Sequence, residues 1–225
     1  MVRRYGDAME IDPAWLAPTW FVDSDSDEVG EFVDRAAAGA TDDRDVAVRL
    51  FHAVRDGFRY DPYNTSHERA AFRASTVTAT SSNWCVPKSV LLTAAARRAR
   101  IPARLGFADV RNHLSSEKLT AQMGTDLFYW HGYSALLLGD RWFKVSSAFN
   151  LGLCRRFGVK VLEFDGTADA LMHPFDESGQ RHMEYGRDRG IYDDLPFDEI
   201  QATFASEYPY LRADGASGAD DEAFR

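Results

Sequence analysis

The chain has 225 residues, 45% of them hydrophobic and 13% aromatic, a composition that suits a globular protein with a sizeable core and excludes a disordered one. Its formal net charge of −9 repels phosphate, so neither a nucleic acid nor an anionic membrane surface is an expected partner. The N-terminal MVRRYGDAMEIDPAW lacks an apolar segment behind its arginines and no later run approaches a membrane span, so a cytoplasmic location is expected, with Cys85 and Cys154 as free thiols.

In chain order, residues 24–38 (SDSDEVGEFVDRAAA) place an acidic cap before Val29, Phe32 and Val33 and end at Gly39, which predicts a short helix. TDDRDVAVRLFHAVRDGFRY predicts a second, where Thr41 and its aspartates cap a face of Leu50, Phe51, Val54 and Phe58. The following RYDPYNTSHERAAFRASTVTATSS reads as polar loop. It runs into Trp84-Cys85-Val86-Pro87, where the proline suits the first turn of a helix that carries Val90, Leu91, Ala94 and Ala95 at helical spacing. Cys85 is therefore expected at or just before a helix N-terminus. RLGFADV, YSALLLGDRWFKVSSAF and GVKVLEF read as short strands, with Gly139-Asp140 as a hairpin turn. Beyond Asp165 the patterning weakens into turn-rich sequence that contains His173 and His182, and residues 213–225 are small and acidic and expected to fray. Helices that precede strands predict an α+β fold, as a single domain over residues 1–212.

A thiol reacts as thiolate, and the partial positive charge at a helix N-terminus favours that form. The same backbone N–H groups can face a developing oxyanion. Cys85 is thus the candidate nucleophile, whereas Cys154, in LGLCRRF, has no such position and reads as structural. His113, His131, His173 and His182 lack the short spacing of metal ligands, so no metal and no cofactor are expected.

The order W-C-V-P-K-S-V-L-L-T-A-A-A-R-R-A-R-I-P-A-R, then Y-W-H-G-Y, then G-D-R-W-F-K-V-S, over roughly residues 58–150, resembles the core of the transglutaminase-like superfamily. In that family G-x-C heads a helix ending in G-I-P-A-R, and H-A-W and W-V-x-L-D follow on strands. The resemblance implies a papain-like fold with its nucleophile at the N-terminus of a central helix packed on an antiparallel sheet. It also implies a Cys-His-Asp triad in which Cys85 is the nucleophile and His131 the base. The sequence departs from the family pattern at several places. Asn83 stands for the glycine of G-x-C, an exchange that tolerates positive φ, and Arg100 for the glycine before I-P-A-R. H-A-W reads His131-Gly132-Tyr133, and Ser146 stands where the triad aspartate belongs.

A two-residue turn at Gly139-Asp140 pairs Leu138 with Arg141, and counting back sets His131 opposite Ala148, with Ser146 and Asn150 as diagonal neighbours on the same face. Ser146 holds the family position. Asn150 offers the better chemistry, because an amide oxygen can orient an imidazole through its N–H, and Asp165 in LEFDG is a third candidate. Trp84 and Asn83, beside the nucleophile, are expected to contact substrate. The expected activity is cysteine-dependent acyl transfer on an amide, in a peptide, a protein or a small molecule, through a thioester resolved by water or an amine. The alternative is a non-catalytic peptide-binding module on a degenerate form of the same fold, motivated by the missing aspartate.

Overall fold

Side-chain caps set the first two helices of this computed structural model, which describes residues 10–113, 115–171 and 183–208. Ser26 accepts the Val29 N–H to begin α1 (Asp27–Ala36), and Asp42 accepts the Asp45 N–H to begin α2 (Asp43–Gly57). Val29, Phe32 and Val33 of α1 and Leu50, Phe51 and Val54 of α2 are buried, as their spacing requires. His173, His182 and the tail at 213–225 lie outside the described residues.

The stretch that reads as polar loop holds short elements: β1 (Arg59–Tyr60), a 3-10 turn at Arg69–Phe72, α3 (Ala74–Thr78) and β2 (Ser82–Asn83). β1 and β2 pair in parallel, with Tyr60 opposite Asn83. A buried carboxylate organises the region, since Asp23 accepts from the Arg73 guanidinium at 2.9 Å and from the Ser75 N–H at 3.1 Å. Both partners are some fifty residues away in sequence, so local patterning carries no sign of them.

The central helix, α4 (Cys85–Arg98), is buried at every position from Cys85 to Arg97. It packs on an antiparallel sheet of β3 (Ala103–Asn112), β4 (Leu127–Leu138), β5 (Arg141–Val145) and β6 (Met183–Tyr192), in the order β5-β4-β3-β6. α5 (Glu117–Met123) connects β3 to β4, α6 (Leu151–Phe157) follows β5, and α7 (Phe197–Glu207) follows β6. The α+β class and the helix-on-sheet core are those the sequence leads one to expect.

The β4–β5 hairpin has the counted register: Leu138 faces Arg141 and Ser134 faces Val145. Pairing stops there, and Ser146 turns its N–H to the Ala170 carbonyl at 2.8 Å. GVKVLEF is not a strand. Its Val159, Leu162 and Phe164 are buried, but the Leu162 carbonyl takes the Arg55 guanidinium in place of a neighbouring strand. The patterning also does not reveal β6, an edge strand exposed from Glu184 to Asp188, because no buried face repeats along it.

Arg97 lies inside the core, 1% exposed, and its guanidinium donates to the carbonyls of Ala103 at 3.0 Å, Ala17 at 2.7 Å and Asp193 at 2.7 Å. It ties the far end of α4 to the N-terminal segment and to the chain after β6. Beyond it, positive φ falls at Arg100 (φ 65) and not at Asn83, which is extended in β2. Arg100 is exposed and carries a side chain where the left-handed backbone favours glycine. Arg100→Gly is therefore expected to stabilise the fold by a net ~0.5–1 kcal/mol, after the added chain entropy of glycine, which denaturant titration would read. A fall in stability would mean that the Arg100 side chain holds the turn.

Candidate active site

The first turn of α4 lies directly against β4 at Gly132. A Cβ at that position would stand 2.6 Å from Ser89 Oγ and 3.2 Å from Val86 Cα, so a side chain there would have to push the Ser89 hydroxyl aside and shift the Val86 backbone by a few tenths of an ångström, and glycine makes this close approach easy. Cys85, the first residue of α4, is thereby set against the strand that carries His131, and both residues open onto one cleft. Hydroxyls stitch the same interface: Thr93 Oγ1 donates to Ser134 Oγ at 3.0 Å, which donates to the Ser89 carbonyl at 3.1 Å. The departure from H-A-W at Gly132 is thus what seats the helix. Its signal in the sequence is a lone glycine inside a strand of large apolar residues.

Trp84, at the N-cap of α4, makes no side-chain hydrogen bond to the helix, which leaves the first N–H groups to the sulphur. The N–H groups of Gly132, Val86 and Cys85 itself favour thiolate, but burial outweighs them and pushes the Cys85 thiol up to about 11. Burial likewise draws the His131 imidazole down to about 4. The pair rests neutral at pH 7. The expectation of a thiolate from helix position alone is corrected here: taking the charge out of water costs more than the helix end and nearby N–H groups return.

Ser146 Oγ lies 3.4 Å from His131 Nε2, and no other hydrogen bond to the ring exists among the described residues. A proton on Nε2 donated to Ser146 leaves Nδ1 with the lone pair that can take the thiol proton. At 3.4 Å this is a long and weak bond. Asn150, the chemically preferred orienter, is engaged elsewhere. Its Oδ1 accepts the Tyr60 N–H at 2.9 Å, which ties the start of α6 to β1. Asp165 is exposed and accepts from Thr167 N at 2.8 Å and Thr167 Oγ1 at 2.7 Å. Asn83 needs correction too: its amide donates to Thr80 Oγ1 at 3.1 Å and the residue does not line the cleft, whereas Trp84 does.

One turn behind Cys85, Lys88 is fully buried. Its Nζ donates to the carbonyls of Phe58 at 2.6 Å, Ala148 at 2.8 Å and Arg55 at 2.9 Å. Burial, only partly offset by Asp56, draws the ammonium down to about 7, but three carbonyls need three N–H donors, which only the charged form supplies. The site thus keeps a cation beneath Cys85, and that cation caps the end of α2 and holds the segment that carries Ser146. A lysine inside the apolar run VPKSVLL is the sequence signal for it.

Strand β4 is bulged just before His131. Asp109 of β3 faces both Tyr129 and Trp130, and Trp130 takes φ 59, an unusual backbone for a bulky residue. The Asp109 carboxylate accepts the Trp130 N–H at 3.1 Å and the Arg189 guanidinium at 2.8 Å, while Arg189 stacks 5.0 Å over the Trp130 ring. The bulge resets the in-and-out alternation of the strand for the residues that follow, His131 first. Nothing in the local sequence marks it, because its partners come from three strands.

The cleft has a volume of about 390 Å³ and is walled by Trp84, Cys85 and His131 on one side and by α5 and α7 on others. Among the described residues no group of His, Cys, Asp or Glu could hold a metal ion, and no helix is long and apolar enough to cross a membrane.

Two expectations follow from this geometry. With the thiol near 11 and the imidazole near 4, the fraction of thiolate grows with each unit of pH from 7 upward. Iodoacetamide alkylation of Cys85 should therefore climb up to about pH 10, where a preformed ion pair would give a plateau through neutrality. Lys88→Met leaves three buried carbonyls without donors and should cost ~2–4 kcal/mol in denaturant titration. Unchanged stability would show that water replaces the ammonium.

Comparison with known proteins bears on the whole arrangement. The chain is similar in structure to "a Putative Cysteine Protease" from Cytophaga hutchinsonii, at 14% identity and a TM-score of 0.46. That similarity covers 79% of this chain and 53% of the other, so the present chain spans about half of that protein's length. No curated protein matches the sequence. The profile of the transglutaminase-like superfamily matches residues 30–147, from α1 to the segment after β5 that holds Ser146, which is more than half of the 225 residues; the chain belongs to the transglutaminase-like superfamily.

Proposed function

We propose that this protein catalyses cysteine-dependent acyl transfer on an amide through a thioester. The observation that carries this reading is the placement of Cys85 at the head of a buried helix, against the strand of His131, with both side chains open to one cleft. His131 Nδ1 takes the thiol proton as Cys85 Sγ attacks the amide carbonyl, so that the developing imidazolium and oxyanion appear together. The N–H groups at the start of α4 are the donors nearest to that oxyanion. The S–C bond forms, the C–N bond breaks, and the proton passes from the imidazolium to the leaving amine. Water then attacks the thioester, its hydroxyl going to the acyl carbon and its proton to sulphur; an amine in its place gives transamidation.

Ser146 at the position of the family aspartate favours a second reading, a peptide-binding module without turnover. Alkylation and turnover of acyl anilides by variants distinguish the two. Cys85→Ala and His131→Ala should abolish turnover. Ser146→Ala should lower kcat about tenfold to a hundredfold with the fold intact, because the Nε2–H tautomer loses its acceptor. Asn150→Ala should lower stability and leave kcat nearly unchanged, since Asn150 holds Tyr60 and not the imidazole. Ser146→Asp places a carboxylate against the ring, so it should raise the His131 pKa and move the alkylation profile to lower pH. Turnover absent in the parent chain, or a residual turnover insensitive to Cys85→Ala and His131→Ala, would leave the binding module as the reading.

A further inference from the structure

We infer that the cleft beside Cys85 is an acyl-group pocket for an uncharged, bulky apolar group, aromatic or branched aliphatic, on the carbonyl side of the scissile amide. The inference rests on the proposed acyl transfer and adds the class of substrate. Charged residues make up 27% of the chain, yet among the described residues none of the seventeen that line the cleft is Asp, Glu, Lys or Arg. The absence is selective.

What the cleft presents is hydrocarbon and ring. Leu119 and Met123 come from α5, Phe128 from the start of β4, Phe204 from α7, and Trp84 from the residue before the nucleophile. Several of the polar atoms among these walls are already engaged. Tyr208 Oη accepts the Tyr129 N–H at 2.6 Å and donates to the Leu127 carbonyl at 3.1 Å, so Tyr208 turns its ring to the cavity. His67 Nδ1 is bound to Gln201 Oε1 at 2.9 Å, both on the cleft wall. A charged group entering here would lose its hydration and find no charged side chain among the described lining residues, whereas an apolar group gains from leaving water.

The apolar group belongs to the acyl side for a chemical reason. After the amine leaves, the acyl portion stays bonded to Cys85 Sγ until water or an amine releases it, so the cavity continuous with the sulphur must hold it through both steps. About 390 Å³ lies near the lower end of ligand cavities, which suits one bulky side chain or acyl chain and not an extended peptide. A peptide would place a single residue in it.

N-acetyl aminoacyl chloromethyl ketones of phenylalanine, leucine, aspartate and lysine test this, with iodoacetamide as a reagent too small to need the pocket. Each alkylates the thiol: the Sγ–C bond forms, chloride leaves and the thiol proton is lost. Second-order rates at Cys85 are read by intact mass and peptide mapping. The phenylalanine and leucine reagents should react about tenfold to a hundredfold faster than those of aspartate and lysine. Ala205→Lys, on a half-buried wall position of α7, should raise the rate of the aspartate reagent and lower that of the lysine reagent; Ala205→Asp should do the reverse. Equal rates across the set with iodoacetamide still reactive, or a preference for either charged reagent in the parent chain, overturn the pocket assignment alone. A Cys85 inert to iodoacetamide and to all four ketones overturns the proposed acyl transfer and the pocket with it.

Discussion

Everything at this site depends on how closely α4 can approach β4. A strand and a helix packed through ordinary side chains stay far enough apart that the first residue of one cannot reach the strand backbone of the other. At Gly132 there is no side chain, and the Val86 backbone and Ser89 hydroxyl occupy the space that a Cβ would claim. The sulphur of Cys85 is brought within hydrogen-bonding range of the Gly132 N–H, and the residue before that N–H is His131. Cys85 and His131 are thus juxtaposed by a backbone contact, which is stiffer than one made by two flexible side chains.

Two buried cations keep α4 in that position. Lys88 near its head and Arg97 near its tail each donate to three backbone carbonyls drawn from distant segments. Carbonyls at helix ends and in loops cannot all find partners within regular structure, and a cation with several donors satisfies three at once. The Lys88 carbonyls come from the end of α2 and from Ala148, two residues after Ser146. The same ammonium therefore fixes the helix that carries Cys85 and the segment that carries the partner of His131.

What could be read from the sequence and what could not divide along the range of the interactions. The head of α4, the β4–β5 hairpin and its register depend on spacing within a few residues, and they fold as the pattern requires. The ladder ends at Val145 and the Ser146 N–H goes to Ala170, yet Ser146 still meets His131 as the count has it; the count fails only at Asn150. That residue answers to Tyr60, ninety residues earlier, and no register argument contains that contact. The charge state of Cys85 has the same character. A helix end is a local feature that favours thiolate, but the burial that overrides it is the work of the whole fold. Edge strand β6 escaped the pattern because one exposed face after another gives no alternation, and GVKVLEF imitated a strand because its apolar residues are buried around a backbone that pairs with a guanidinium.

In the proposed reaction, a Cys-His pair that burial holds neutral would change where the electrostatic work of catalysis is done. With no ion pair in the resting state, separation of charge begins only as the thiol meets a carbonyl, so stabilisation by α4 N–H groups and the Lys88 ammonium acts on the transition state more than on the ground state. A bulky apolar acyl group that fills the cleft would exclude water from that moment and strengthen each of these interactions, since the local dielectric falls. The same filling would shield the tetrahedral adduct from water, and once the amine has left and the thioester has formed, only the side the amine vacated would be open to attack. On that proposal, whether water or a second amine then takes that place would be decided at the open side, away from the apolar walls, and so by different residues from those that select the acyl group.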